Sequence, residues 1–338
     1  MINIYVLGFD HALASAITGV VDLFALAGVT WNRIQQQETA VAFNVRLASA
    51  QGNNVQCING LQLAAHYSFT DLENALSSKT STTAAESNIL IVPTIGGPIQ
   101  QALDNNPELI QLLRKAHIAG WTIAGNCTGN FFLAEAGILD GKSATTHWGF
   151  EAEFKQRFPH VKLQAEQLIT RDGNIFCAGG GIAWFDLGLH IIERCVDFET
   201  AMQTAKAFVI DYRRDSQLSY SLMLIAKPHQ DDLVHQIQAQ IEQDCTISLS
   251  IDDLAEQYNV SQRTLIRRFN KALDMPPNTY LQSVRIERAR KMLEESDFNV
   301  DTVMNKIGYE DASSFRRLFK KKTGVTPTEY RTRFSRRL

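Results

Sequence analysis

The 338 residues, 45% hydrophobic and 20% charged, are enough for two or three domains and have the composition of folded rather than disordered protein. With 33 Lys and Arg against 36 Asp and Glu, the net charge of −3 points to no polyanionic partner. No apolar run reaches the roughly 18 residues of a membrane span, and the five cysteines (Cys57, Cys127, Cys177, Cys195, Cys245) contain no C-x-x-C, which argues against a disulfide framework or zinc knuckle and for a cytoplasmic setting.

From the N-terminus, Ile2–Gly8, Val41–Ala48, Ile89–Thr94 and Thr122–Gly125 are short, apolar and bounded by turn residues, and are predicted as buried strands. With no basic stretch ahead of it, Ile2–Gly8 reads as a first strand rather than a leader. Helical patterns fall between the strands at Ala16–Ala27, Pro107–Ala119 and Asn130–Ala136. This alternation predicts an α/β domain with a flavodoxin-like parallel sheet. Val161–Thr170 and Asn174–Ala178, joined by Arg171-Asp172-Gly173, read as a hairpin, and Ile182–Val196 as a helix.

Within this part, Trp121 to Ala134 reads strand, sharp turn, helix, with Cys127 at the turn. That is the layout of a nucleophile elbow, where a helix dipole favours thiolate. Gly96-Gly97, after a strand end, would let backbone N–H groups approach a ligand or oxyanion, and Thr145-Thr146-His147-Trp148 supplies an imidazole. Cys127 and His147 are two metal ligands without an evident third, so no metal is expected, nor any cofactor. A lone His147 is more simply a hydrogen-bonded structural histidine.

Gly125-Asn126-Cys127-Thr128-Gly129, Ala134 to Gly141 and Ala144 to Trp148 together resemble the ThiJ/PfpI superfamily, related to class I glutamine amidotransferases, and are similar above all to its isocyanide-hydratase-like members. The resemblance runs from Ile2 to about Phe208 and implies a cysteine-centred pocket. Those members place an acid before Thr-Gly in D-x-T-G-x-x-D; here the run is Ala16-Ile17-Thr18-Gly19-Val20-Val21-Asp22, with Ala16 in the acid's place and Asp22 at the second acid. Thr128 follows Cys127, where the protease-like members have histidine. Three readings follow: a cysteine-dependent hydratase or amidase, a pocket that binds or senses a small molecule, or a structural dimerisation domain. The missing acid favours the non-catalytic sensor, with Cys127, Thr128, Gly96, Gly97 and His147 at its pocket.

Residues 211–231 are mixed and polar, with Lys227-Pro228-His229, and read as a linker between a domain of residues 1–210 and one of residues 232–338. From Asp232 the pattern is helical: Leu233, Ile237 and Ile241 recur at helical spacing, Ser250 precedes Asp252-Asp253 as a helix start, and Asn259-Val260-Ser261 is a turn with a new N-cap. A shift of 50 aligns Leu265, Arg267, Phe269, Lys271, Pro277 and Tyr280 with Phe315, Arg317, Phe319, Lys321, Pro327 and Tyr330, and a shift of 49 aligns Leu254-Ala255 with Val303-Met304. Each copy has helix-turn-helix order.

In Gln262–Lys271, Leu265 and Phe269 share the core side while Gln262, Arg263, Arg267 and Asn270 cluster elsewhere; in Ala312–Lys321, Phe315, Leu318 and Phe319 turn inward and Ser313, Arg316, Arg317 and Lys320 turn away. Such polar faces suit base edges and phosphates in the major groove. One helix over Asn278–Ser296, about 28 Å long at 1.5 Å per residue, would space them near the ~34 Å between major-groove segments on one side of a duplex. Charge agrees: from Val260 onward 18 basic residues face nine acids, a net of +9 that the whole-chain value conceals, and Tyr330 to Leu338 carries four arginines.

Ile307-Gly308-Tyr309-Glu310-Asp311-Ala312-Ser313-Ser314-Phe315-Arg316-Arg317-Leu318-Phe319-Lys320, with Lys322 to Pro327 and Tyr330-Arg331, resembles the AraC/XylS family of bacterial transcription regulators over about 100 residues. Met304 departs from the family's small residue there. The two resemblances together imply a GlxA-type regulator: a DNA-binding protein, homodimeric, whose N-terminal domain senses an unidentified effector.

Overall fold

In the computed structural model of the chain, the predicted apolar runs become the centre of a seven-stranded sheet. Residues 1–77, 88–212, 214, 216–221, 229–246 and 250–336 are described, in two compact units, Met1–Gln217 and Leu218–Leu338. The unit boundary falls within the 211–231 stretch; Lys227, Pro228, Arg337 and Leu338 lie outside the described residues.

The strands are β1 (Ile2–Leu7), β2 (Phe43–Ser49), β3 (Val55–Gln56), β4 (Gln62–Leu63), β5 (Tyr67–Ser68), β6 (Asn88–Val92), β7 (Thr122–Asn126), β8 (Ser143–Ala144), β9 (Lys162–Leu163), β10 (Ile169–Asp172) and β11 (Ile175–Ala178). The main sheet runs β10-β11-β7-β6-β1-β2-β5, parallel except for the β10–β11 pair. Its parallel core, β2-β1-β6-β7-β11, has the 2-1-3-4-5 order of flavodoxin-like folds. Ile89, Leu90, Ile91 and Val92 are all buried, although successive side chains of a strand point to opposite faces; both faces of the sheet are therefore covered. The covering helices are α1 (Ala14–Leu26), α2 (Thr30–Ile34), α3 (Phe69–Ser77), α4 (Ile99–Asp104), α5 (Pro107–Ile118), α6 (Asn130–Glu135), α7 (Glu151–Arg157), α8 (Ala183–Cys195) and α9 (Phe198–Phe208). They form two groups, α1 with α8 and α9, and α3 with α5 and α6.

The predicted strand Val161–Thr170 is not one element. Lys162–Leu163 pairs in parallel with Ser143–Ala144 in a separate small sheet, and only Ile169–Asp172 forms the hairpin with Ile175–Ala178. The break follows from residues 164–168, Gln-Ala-Glu-Gln-Leu, where a turn bonded from the Gln167 N–H to the Gln164 carbonyl redirects the chain.

The second unit is helical: α10 (Asp232–Gln243), α11 (Ile251–Gln257), α12 (Gln262–Leu273), α13 (Pro277–Glu295), α14 (Val300–Lys306), α15 (Ala312–Thr323) and α16 (Pro327–Phe334). Ser250 and Ser261 cap α11 and α12 as their positions suggest, each accepting backbone N–H bonds of the first turn. The core joins equivalent residues of the two copies: Leu265, Phe269, Phe315, Phe319, Tyr280 and Tyr330 are all buried. Tyr280 bonds Glu242 and Tyr330 bonds Glu294; burial and then the Glu294 bond push the Tyr330 phenol up to about 12.

Asp231 caps α10 through the Val234 N–H and grips Arg268 of α12 through both oxygens. The guanidinium holds the Asp231 carboxyl below the usual carboxylate range. A depressed folded-state value means that the pair stabilises above the ordinary aspartate range and is lost as pH falls through it. Asparagine caps as well as aspartate, so Asp231→Asn isolates the ion pair. We expect it to cost about 1 kcal/mol at pH 7 for a pair still partly in solvent, and progressively less as pH falls through the depressed value of the Asp231 carboxyl; urea unfolding over a series of acidic pH values checks this.

Candidate functional site

Cys127 follows β7 directly, with a φ of +56° that β-carbon-bearing residues seldom adopt. A short turn, Cys127–Gly129, leads into α6, so the elbow layout is present. The turn is pinned across the sheet: the Thr128 hydroxyl donates to the Ile95 carbonyl at 3.0 Å and accepts from the Ile95 N–H at 3.1 Å. Asn126 donates to the Thr94 hydroxyl at 2.7 Å, and Asn130 to the Thr145 and Ala178 carbonyls, both at 2.9 Å. The side-chain oxygens of Asn126 and Asn130 are buried with no hydrogen-bond partner among the described residues. Leaving a buried acceptor unsatisfied costs about 1–3 kcal/mol, a cost that an ordered water, an ion or a functional role would explain.

The electrostatics differ from the sequence expectation. Burial raises the Cys127 thiol above its ordinary value, outweighing hydrogen bonds from the Thr128 and Gly181 N–H groups and from the Thr94 and Thr128 hydroxyls. The sulfur is therefore a neutral thiol, because desolvation at a 5% exposed residue exceeds what local donors supply. His147 is half-buried and pushed down by burial, hence a neutral imidazole. Its Nδ1 accepts the Gly149 N–H at 3.0 Å, its ring lies against Gly180, and Trp148 and Phe150 flank it. The Gly96 N–H is committed to the His11 carbonyl at 2.8 Å, so it is not the free oxyanion donor that the glycine pair suggested; Gly97 packs beside the His11 side chain. Ala16 is fully buried in α1.

Gln217 was not singled out by sequence reasoning. It is 2% exposed, its amide donating to the Thr146 and Ala165 carbonyls, both at 2.7 Å. Its oxygen accepts the N–H groups of Gly180 at 3.1 Å and Trp148 at 3.3 Å. The three successive glycines at 179–181 are the one sequence signal of a close approach there: a β-carbon on Gly179 would fall 2.7 Å from the Gln217 amide.

In the second unit, Gln262, Arg263, Arg267 and Asn270 on α12 and Ser313, Arg316, Arg317 and Lys320 on α15 are all exposed, while Leu265, Phe269, Phe315 and Phe319 on the opposite sides are buried. Leu318 is only half-buried, against the core. Each helix-turn-helix bends through a residue of positive φ at equivalent positions, Asn259 at +51° and Gly308 at +80°. The engagement of the basic faces within the fold is slight: Arg316 reaches Asp301 at 3.5 Å with both side chains largely in solvent.

Residues 27–194 match the DJ-1/PfpI family and residues 254–333 the helix-turn-helix domain. The chain is 31% identical over 226 residues to the HTH-type transcriptional regulator CdhR of Pseudomonas aeruginosa, 67% of each protein. It is 30% identical over 128 residues to the isonitrile hydratase of Pseudomonas putida, which is 37% of this chain and 54% of that protein. A ThiJ/PfpI family protein from Pseudomonas syringae shares the fold, with a TM-score of 0.50, 18% identity, and coverage of 72% of this chain and 85% of that one. The chain belongs to the HTH-type transcriptional regulators in which a DJ-1/PfpI domain precedes a C-terminal AraC-type helix-turn-helix domain.

Proposed function

We propose that this chain binds operator DNA through its two helix-turn-helix units and that its DJ-1/PfpI unit is a non-catalytic sensor of a small molecule in a cytoplasmic homodimer. The observation that carries the DNA half is the pair of exposed polar and basic faces at equivalent positions of a duplicated fold, each backed by buried aromatic residues. The sensor half is supported by the elbow and its buried neutral thiol, with unsatisfied amide oxygens on Asn126 and Asn130 of the same strand-turn-helix stretch. Cys127, Thr128, Gly96, Gly97 and His147 border the effector in this reading, and effector binding alters operator affinity through the differential stability of two states.

Full-length protein titrated with duplex DNA tests the first half. Affinity should fall with added salt, by a slope of about −0.9 per phosphate neutralised, and should depend on sequence; binding that does neither removes the reading. A thermal-shift screen of metabolites, repeated with Cys127→Ser, tests the second, and the complete absence of any stabilising compound refutes a sensor.

The similarity to isonitrile hydratase, together with the elbow itself, favours one other reading, a cysteine-dependent hydratase. Alanine at position 16 offers no carboxylate to take the thiol proton, and the lone pair of His147 Nδ1 is already engaged by the Gly149 N–H. We expect no Cys127-dependent hydration of an isocyanide; turnover that disappears in Cys127→Ser would establish the enzyme instead.

A further inference from the structure

We infer that Gln217 is a positioning residue that ties the state of the Cys127 site to the segment entering the DNA-binding unit. Gln217 is the last residue of the first unit. Its side chain is bonded to both walls of the site. Through the Thr146 carbonyl it reaches the residue whose hydroxyl donates to the Cys127 carbonyl at 3.0 Å. Through the Gly180 N–H it holds the loop whose next residue, Gly181, donates to the Cys127 thiol. Between these walls lies His147, flanked in sequence by Thr146 and Trp148 and packed on Gly180. The backbone is fastened as well: the Gln217 N–H and the Ser216 hydroxyl donate to the Glu166 carbonyl at 3.1 and 2.9 Å, and Ser216 pairs with Gln167 as an antiparallel bridge.

Leu218 is the next residue, and beyond it the chain is fastened again, now within the second unit. The buried Arg290 of α13 donates to the carbonyls of Ser221 at 2.7 Å and Ser219 at 3.4 Å, and to the Tyr330 hydroxyl at 2.9 Å. Tyr220 meets the Phe334 ring edge-on at 5.4 Å, and the turn Leu218–Tyr220 packs against α15, the second of the two basic helices. Two stretches, each anchored within its own unit, thus follow one another in sequence with Leu218 alone between them. A buried amide whose donors and acceptor are all engaged cannot follow a displaced partner without breaking bonds. Displacing Trp148 or Gly180 therefore either shifts Gln217 or costs it the hydrogen bonds that hold it.

This inference rests on the DNA-binding reading, and thermodynamic reciprocity allows a test without the effector: if the Cys127 site influences DNA binding, DNA binding influences the site. Amide hydrogen exchange of the full chain is measured with and without a saturating mixed-sequence duplex at low salt. In the wild type, the duplex should change exchange at the Trp148 and Gly180 amides about fivefold or more. In Gln217→Ala, DNA affinity should stay within about twofold and the DNA-induced change should vanish. Gly179→Ala, which displaces the same side chain without removing it, should act likewise and guards against a folding defect specific to the first variant. A DNA-induced change that persists in both variants, or none in a wild type that binds, overturns the inference. Failure of every protein to bind duplex removes the DNA-binding reading and the inference with it.

Discussion

Arg263→Ala and Arg316→Ala are each expected to weaken operator binding by about 1–3 kcal/mol, roughly fivefold to 150-fold in affinity, with thermal stability unchanged. Both side chains are exposed on the polar faces of α12 and α15, and neither belongs to the core. A guanidinium that contacts a base should, when removed, relax sequence preference at one position. One that contacts phosphate should weaken all sequences alike and reduce the salt slope by about one. Anisotropy titrations against operator and mismatched duplexes at several salt concentrations separate the two. Unchanged affinity in both variants would show that these helices are not the reading surface.

Gly129→Ala should destabilise the first unit by about 3 kcal/mol, the upper part of the range for overpacking a well-filled interior. The elbow presses its third residue against the strand end: a β-carbon at 129 would lie 2.3 Å from the Pro93 carbonyl oxygen and 2.8 Å from that of Val92. Both are backbone atoms at the centre of the sheet and cannot swing aside as a flexible side chain would. Gly97→Ala is the control, since its nearest neighbour is the His11 side chain at 3.3 Å. Urea unfolding compares the two, and equal midpoints would mean that the sheet yields at Pro93.

Much of this architecture is legible from the chain because the informative features are local. Buried strands announce themselves as β-branched runs, and the duplication as a register of aromatics at a fixed shift. The Cys127 elbow is legible for the same reason: strand, glycines and helix lie within about a dozen consecutive residues. What escapes is whatever depends on contacts distant in sequence. The neutrality of Cys127 comes from burial by neighbouring elements, which overrides the local helix terminus. Gln217 looks like one more polar residue in a polar stretch; its partners lie 37 to 71 positions away. The Gly96 N–H looks available until β1 brings the His11 carbonyl to it. α9 does carry a local signal, Asp197 capping through the Thr200 N–H.

The two turns of the duplicated unit carry one more implication, about how such a protein changes over generations. The first bends at Asn259, a residue type that tolerates a left-handed backbone. The second bends at Gly308, where a β-carbon would also fall 2.8 Å from the Thr246 backbone. The copies are thus unequal targets for random substitution. Position 259 admits asparagine, aspartate or glycine, whereas at position 308 any β-carbon also meets backbone. Sequences that diverge from this one should therefore vary more often at the first turn than at the second.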